Sequence, residues 1–312
     1  MSMTSDIEPI MGKTMTPRRL PVRPTKPTIE PETFKDRLVR YLFATAYAVQ
    51  PKRIAALPPL AFRLVKFWLT PVAKRTLPAN DAWLPGPECT VGFVHDASPE
   101  GILAGLREGM HPSAHISPIK WLAPRERCIL VPQDLRIEKN LARLLRKQKY
   151  RISFDRDPLG VLNGCAAPRP GRPPLTWLTP EMKRLLMDTF DAGIMHTTEV
   201  HDEEGKLVGG LFGYAVDDLF MIQSQFHTVR DTSKIATVGL MAHLTEWGFT
   251  GADGDYMTTY LGNFGFKTIS RGAWASMQTE KRMGPLGLWN FNSDMDLGNW
   301  KPAEGKCPRK AA

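Results

Sequence analysis

The segment "LVGGLFGYAVDDLFMIQSQF", Leu207–Phe226, reads as two strands folded back on each other. Its residues are mostly β-branched, aromatic or long apolar ones, and Asp217-Asp218 breaks the run where a hairpin turn is needed. Upstream, "IMHTTEVHD" (Ile194–Asp202) reads as a third strand, joined through a turn at Glu203-Glu204-Gly205. Downstream, Asp231 is placed to cap a long helix, "TSKIATVGLMAHLTEWG" (Thr232–Gly248). A further strand starts in "FTGADGDY" (Phe249–Tyr256). Three antiparallel strands, a helix and a strand predict an α+β fold. Gly209, Gly210 and Gly213 either admit a substrate close to the backbone or relieve crowding in a packed strand; the second reading is favoured.

That layout is the core of acetyltransferase-like folds, and the rest of the body is compatible with it. "TVGFVH" from Thr90 reads as a strand. "SPEGILAGLREG" reads as a helix capped by Ser98, with Pro99 in its first turn and Gly109 at its end. "RCILVP" and "YRISFD" read as strands on either side of a helix, "RIEKNLARLLRKQKYR". One face of that helix is apolar, and Arg136, Lys139, Arg143, Arg146, Lys147 and Lys149 occupy the rest. The cationic face is either simply solvated or a stripe for phosphates. A short helix through Cys165, read as a small core residue, leads to the proline-rich break "APRPGRPP". Thr179-Pro180 then opens another helix, and "NFGFKTISR" reads as a turn and a strand.

The 312 residues carry a net charge of +9, and it is unevenly placed. Residues 1–80 hold fourteen Lys/Arg against five Asp/Glu, whereas the other 232 hold equal numbers of each sign. The basicity belongs to an N-terminal extension and asks for an anionic partner: RNA, a membrane surface or an acidic protein. Residues 1–31 contain six prolines and few large apolar residues, and are expected to be disordered. From Glu32 the pattern changes. Phe34, Leu38, Leu42 and Ala46 recur every four residues, and "PLAFRLVKFWLT" interleaves apolar residues with Arg63 and Lys66. These amphipathic helices either pack on the body, which is favoured, or lie on an anionic membrane through residues 32–80. No uncharged apolar run approaches the ~18 residues needed to span a bilayer, and the N-terminus lacks a secretory-signal pattern. The four cysteines have no C-x-x-C spacing and fit a reducing cytoplasm.

Common catalytic signatures are absent. There is no H-E-x-x-H, no Walker loop, no G-x-S-x-G and no clustered His/Cys set. His196 and His201, five apart in one strand, point to opposite faces. Before the long helix, "TVRDTSKIAT" has no glycine to cradle the pyrophosphate of coenzyme A.

Several stretches together resemble the bacterial leucyl/phenylalanyl-tRNA–protein transferases: "SPEGILAGLREGMHP", "KWLAPRERCILVP", "VLNGCAAPR", "TWLTPEM", "HTTEV", "LVGGLFGYA", "LFMIQSQF", "SKIATVGLMAHL" and "LGNFGFKTISR". They occur in the family's order from about Val91 to Ala275. The resemblance implies an acetyltransferase-like (GNAT-type) catalytic domain behind a smaller N-terminal α/β subdomain. Divided accordingly, the chain is a tail (1–31), a basic helical extension (32–89), a subdomain (90–175), a catalytic domain (176–289) and an irregular tail (290–312). The extension has no place in the family's pattern. The resemblance also implies transfer of a leucyl or phenylalanyl group from aminoacyl-tRNA to a protein N-terminal amine in the cytoplasm, feeding the N-degron route, with no metal and no coenzyme A. The ester is already activated. An enzyme need only align a neutral amine with the carbonyl and stabilise the oxyanion. The stripe Arg136, Lys139, Arg143, Arg146 and Lys147 would hold the tRNA.

Three positions depart from the family's pattern. The family stacks the terminal adenosine between two tryptophans. Trp177 in "TWL" matches one, with a core tryptophan as the alternative reading, but the motif G-I-F-P-W is here "GMHPS", placing Ser113 in the other tryptophan's slot. Where the family has G-E-S-x-F, this chain has "IQSQF", so Gln223 replaces a glutamate that helps hold the acceptor. Where the family has Asp-x-Gln, implicated in the amine's proton relay, this chain has Asp253-Gly254-Asp255. One carboxylate is lost and another gained. On an extended strand Asp253 and Asp255 would share a face, and one of them would act as base; otherwise Asp255 is a solvated turn residue. Asp253, Asp255 and Gln223 are the catalytic candidates. Trp177, Ser113, Trp121, Glu199 and Lys234 are the substrate-binding ones. The three departures suit either the family reaction or a diverged paralogue with another amine acceptor: a peptide, a small molecule or a lipid headgroup. A lipid acceptor would put the chain at the inner membrane surface. A binding protein that kept only the scaffold is the non-catalytic alternative. A metal-holding D-x-D of the glycosyltransferase kind is disfavoured.

Overall fold

The computed structural model describes residues 28–71, 74–169, 171, 173–278 and 289–301. Most of the expected tail at 1–31, and the end of the one at 290–312, lie outside them. The hairpin of the opening segment forms: β7 (Leu207–Val216) and β8 (Leu219–His227) turn at Asp217-Asp218, with Asp217 left-handed at φ 52°. β6 (Met195–His201) completes the antiparallel meander. The helix α8 (Thr232–Glu246) then crosses over, and β9 (Gly251–Asp253) returns parallel to β8. β4 (Glu126–Leu130), β5 (Arg151–Phe154) and β10 (Lys267–Ser270) join the same sheet, in the order β10-β4-β9-β8-β7-β6-β5. This seven-stranded sheet takes strands from both sides of position 175. A separate three-stranded sheet, β1-β3-β2, is made of β1 (Thr90–Phe93), β2 (His111–Ser113) and β3 (Lys120–Leu122). The protein is thus mixed α and β, with helices covering its main sheet.

Both faces of the sheet are covered, which is why β7 and β8 read as nearly unbroken apolar runs. Leu219 and Met221 enter one core with residues of α4 (Pro99–Arg107), α6 (Pro158–Ala166) and α7 (Pro180–Asp191). Phe220 and Ile222 enter the other, with α8 and α5 (Lys139–Arg146). Ser98 caps α4 through Gly101 N, and Thr179 caps α7 through Met182 N. Asp231 precedes α8 but does not cap it. Its left-handed backbone (φ 68°) turns the carboxylate away, and Oδ1 pairs with Lys234 Nζ at 3.0 Å. α5 is shorter than its sequence pattern at both ends: it starts at Lys139, after the turn at Pro132–Asp134, and stops at Arg146.

The strand glycines answer to crowding. A Cβ on Gly210 would lie 2.6 Å from the main-chain oxygen of Thr198, and one on Gly213 would press on the main-chain oxygen of Met221. We expect Gly210→Ala to lower unfolding free energy by about 1–3 kcal/mol, seen as a reduced urea midpoint, with turnover per folded molecule unchanged.

The extension docks on the body. α1 (Phe34–Ala48), α2 (Pro51–Ile54) and α3 (Leu57–Leu69) bury Ala44 and Phe67, and Phe67 lies against Phe93 and His95. No helix among the described residues is long and apolar enough to cross a membrane.

Buried His243 in α8 is held neutral. Its Nδ1 bonds to Gly239 O at 2.7 Å, while Nε2 accepts from Asn292 N at 3.0 Å. Burial lowers its pKa from the usual value, and the same holds for His111. Below about pH 6.5 the unfolded chain takes up these protons before the native state does, so stability falls with acid, by up to about 1.4 kcal/mol per pH unit for each such group. The urea midpoint should drop between pH 7 and pH 5, and His243→Gln should remove part of the slope. A slope identical in that variant would refute the assignment.

Candidate active site

The site begins with a charge inside the sheet. Arg127 on β4 is fully buried. β4 pairs with β9 at Ile129↔Asp253, so the residue two before Ile129 lies just past the end of β9. There Arg127 Nε donates to Asp253 Oδ2 at 2.8 Å, and Nη2 lies 3.2 Å from Asp255 Oδ1. Nη1 donates to Gly109 O at 3.1 Å, and the guanidinium carbon lies 4.9 Å from the centre of the Trp274 ring. Burial pushes the Asp253 carboxyl upward, and the Arg127 guanidinium opposes that shift.

Asp253 and Asp255 do converge, but not as alternate residues of a strand. β9 ends at Asp253, and Asp255 is left-handed (φ 59°). Asp255 N donates to Asp253 Oδ1 at 2.9 Å, closing a tight turn. That turn aims the Asp255 carboxylate back at Arg127. Asp255 is buried rather than a solvated turn residue.

A cleft opens on the Asp255 side. His111, Ser113, Trp177, Gln223, Asp255 and Tyr260 are among the residues that line it. Gln223 on β8 donates from Nε2 to Asp255 Oδ2 at 3.2 Å, so two of the three departures from the family pattern touch. Ser113 ends β2, and a parallel bridge between Ala114 and Leu178 sets Trp177 beside it. Trp177 packs against the core on its other side, so both readings of it describe part of its environment. Asp253 sits behind the lining and reaches the cleft only through Arg127 and Asp255.

Other candidates lie elsewhere. Trp121 is 1% exposed, its ring held where a Cβ on Gly105 would stand, and it belongs to the core beneath β3. Glu199 is sealed inside β6. Its carboxylate accepts from Ser153 Oγ (2.7 Å), Thr197 Oγ1 (2.5 Å), Arg156 N (3.1 Å) and Asp157 N (3.2 Å). Burial raises its pKa against those donors, and its role is to fasten the β5–α6 loop. His196 is likewise engaged, with Nδ1 2.7 Å from Asp155 and its ring stacked on Trp289. Lys234 is absent from the cleft lining and is tied to Asp231 (3.0 Å) and Glu138 (3.8 Å). Arg136, Lys139, Arg143, Arg146 and Lys147 are all exposed. Arg136 N donates to Phe264 O at 2.9 Å, which joins the start of the stripe to α9 (Thr259–Phe264), the helix that brings Tyr260 to the cleft.

His111 is the residue that sequence reasoning passed over. It is 7% exposed, edge-on to Tyr256, with Nδ1 3.5 Å from Asp255 Oδ1. Neither atom has a directed hydrogen-bond partner. Burial, and then Arg127, lower the imidazole's pKa while Asp255 pulls it up, leaving a net decrease. A signal was present in "GMHPS", where a histidine occupies the phenylalanine slot of the quoted motif. Arg127 was also missed. A charged residue entering an apolar strand was its only mark. Tyr214 adds a buried hydroxyl with no partner, its pKa raised by burial and by Asp255. Among the described residues, no group of three or more His, Cys, Asp or Glu is placed to hold a metal ion.

Asp255 thus presents a carboxylate at the cleft wall, with Arg127 behind it and Arg271 donating to the same Gly109 O at 3.3 Å, beside an imidazole whose pKa burial lowers and an aromatic shelf. This arrangement can hold an ammonium and take a proton from it.

Comparison with known proteins gives the same direction. The sequence pattern of the leucyl/phenylalanyl-tRNA protein transferases matches residues 129–279. The leucyl/phenylalanyl-tRNA–protein transferase of Alkalilimnicola ehrlichii is 33% identical over 234 residues, covering 74% of this chain and 90% of the relative. That of Ectopseudomonas mendocina is 39% identical over 181 residues, covering 58% and 79%. Among solved structures, a C-terminal domain described as that of a lysylphosphatidylglycerol synthetase from Agrobacterium fabrum overlaps 58% of this chain and 68% of its own. At 13% identity and a TM-score of 0.33 it carries no argument. Identity at this level, over nine-tenths of a relative's length, makes this chain a member of the leucyl/phenylalanyl-tRNA–protein transferase family.

Proposed function

We propose that the protein transfers a leucyl- or phenylalanyl-type group from the 3′ end of aminoacyl-tRNA to the α-amine of a protein N-terminus, on a GNAT-type catalytic fold. The topology of β6, β7, β8, α8 and β9 supports that fold, and family membership supports the reaction. We read residues 32–89 as an added module and the three-stranded sheet as the heart of the smaller N-terminal unit. The cytoplasm, at the inner membrane surface, is the location we infer. The single observation that carries the reading is the His111–Asp255 contact in the wall of the cleft.

In this proposal Trp177 stacks on the terminal base, a contact worth about 1–3 kcal/mol. Ser113 supplies no second shelf. Asp255, steadied by Arg127 and Gln223, holds the acceptor ammonium, and Asp253 acts by fixing Arg127. The neutral His111 imidazole takes one proton from the ammonium and later releases it to water. The freed nitrogen bonds to the ester carbonyl carbon. As the carbon–oxygen bond to the ribose breaks, a second nitrogen proton passes to the ribose oxygen. The products are an amide and uncharged tRNA, with one proton released. The exposed stripe holds the acceptor stem.

The test follows labelled leucyl- or phenylalanyl-tRNA with two nucleophiles: a peptide with N-terminal Arg or Lys, and hydroxylamine, which is uncharged at neutral pH. The wild-type protein should use both. His111→Phe should lose about a hundredfold or more in kcat/KM toward the peptide at pH 7 and recover as pH rises through the amine's own titration, while keeping hydroxylamine transfer. Asp255→Asn should lose peptide transfer in the same selective way. Equal losses with both nucleophiles would make these positions merely structural. No transfer by the wild type to either would defeat the reaction itself.

Replacing Arg143, Arg146 and Lys147 by Ala should weaken tRNA binding and flatten the dependence of log K on log salt by about two to three. An unaltered slope in filter binding would take the stripe out of the proposal.

A further inference from the structure

The helices of the extension turn arginines inward beside Ala44 and Phe67 and leave other large apolar side chains outside. On α1, Arg40 points inward: Nε and Nη2 pair with Glu32 at 2.8 and 2.7 Å, and Nη1 donates to His115 O at 2.5 Å. On α2, Arg53 pairs with Glu88 at 3.0 Å. On α3, Arg63 donates to the main-chain oxygens of Val91 and Ala82. Arg40 and Arg63 reach main-chain oxygens of the body at His115 and Val91, beside the inward Ala44 and Phe67, while the other large apolar side chains named next face away from it. Phe34, Leu38 and Leu42 on α1 are 80%, 50% and 62% exposed. Phe62, Val65 and Leu69 on α3 are 72%, 56% and 77% exposed, and Trp68 beside them is 66% exposed. Their spacings, four and four on α1, three and four on α3, make a stripe on each helix. Burying such a side chain is worth about 1.5–3 kcal/mol, so leaving seven in water needs a reason. Singly scattered apolar residues would not; two helical stripes do.

Three occupants are conceivable, and charge separates them. The exposed Lys35, Arg37, Lys52 and Lys66 surround these stripes, and Lys74 is exposed too, while the exposed acids among the described residues up to 89 are Glu30, Asp36 and Asp81. A second copy would bring two such cationic surfaces together. Residues 1–27 contain no aromatic residue and add five Lys/Arg against two acids, so they too would set cations on cations. A lamellar surface of anionic lipid takes both features at once: aromatic and aliphatic side chains enter the interface, and lysines meet the headgroups.

We propose that the outer faces of α1 and α3 seat the protein on an anionic lipid bilayer, with the body held above it by the inward arginines. The inference is independent of the transfer chemistry.

It is tested with the full chain by co-sedimentation. Vesicles of phosphatidylglycerol with phosphatidylethanolamine should pellet the protein; vesicles of phosphatidylcholine alone, or high salt, should release most of it. The triple variant Phe62→Ser/Trp68→Ser/Leu69→Ser removes side chains that are mostly in water and should fold normally. Its partition coefficient should fall at least about tenfold, with the thermal midpoint and transfer to a soluble acceptor unchanged. Two outcomes overturn the proposal: equal pelleting of wild type and variant, or a wild-type dimer in light scattering that the variant converts to monomer, since a second copy then covers the stripes.

Discussion

A single guanidinium inside the main sheet sets the terms for the rest of the site. Burying Arg127 without partners would cost several kcal/mol. It is matched by Asp253, Asp255 and a main-chain carbonyl at Gly109. Each partner comes from a different part of the chain: the end of β9, the turn after it, and the loop leading from α4 to β2. Arg127 therefore ties the small sheet to the large one while it fixes the carboxylate that faces the cleft. Gln223 completes the arrangement from β8. The partners also set the balance of charge. Arg271 donates to the same Gly109 carbonyl, so two guanidiniums stand beside two carboxylates.

Much of the fold was legible in the sequence because its strands are apolar on both faces and its turns are marked by Asp-Asp and Glu-Glu-Gly. The meander, the helix after Asp231 and the strand at Gly251 follow from those marks alone. Other features depend on contacts that no local pattern records. Asp231 looks like a cap, but its left-handed backbone sends the carboxylate to Lys234. Glu199 looks like a site residue, but four donors gather around it within the protein. The convergence of Asp253 and Asp255 was readable, though the mechanism was a left-handed turn and not strand alternation. Arg127 and His111 stood outside the legible part. Each lies far in sequence from Asp255, and only the pairing of β4 with β9 and the placement of β2 bring them to it.

The extension shows the same principle in reverse. Amphipathic periodicity identified α1 and α3 correctly as helices that touch the body. It did not tell which stripe touches. Ala44 and Phe67 do face inward, but they share that face with Arg40 and Arg63, which answer main-chain oxygens of His115 and Val91, and with Arg53, which pairs with Glu88. Charge can win an interior position when every donor finds an acceptor.

The bond between Gln223 and Asp255 has a historical consequence. The family's pattern places the acid at the first position and the amide at the second; this chain has them exchanged. A lineage passing from one pair to the other by single changes meets one of two intermediates. With acids at both positions, two carboxylates would meet where Gln223 Nε2 now donates to Asp255 Oδ2. With amides at both, the guanidinium would face Asp253 alone. The second avoids that contact of like charges, which favours losing one acid before gaining the other. Between the two steps the cleft wall would have carried no carboxylate at either position.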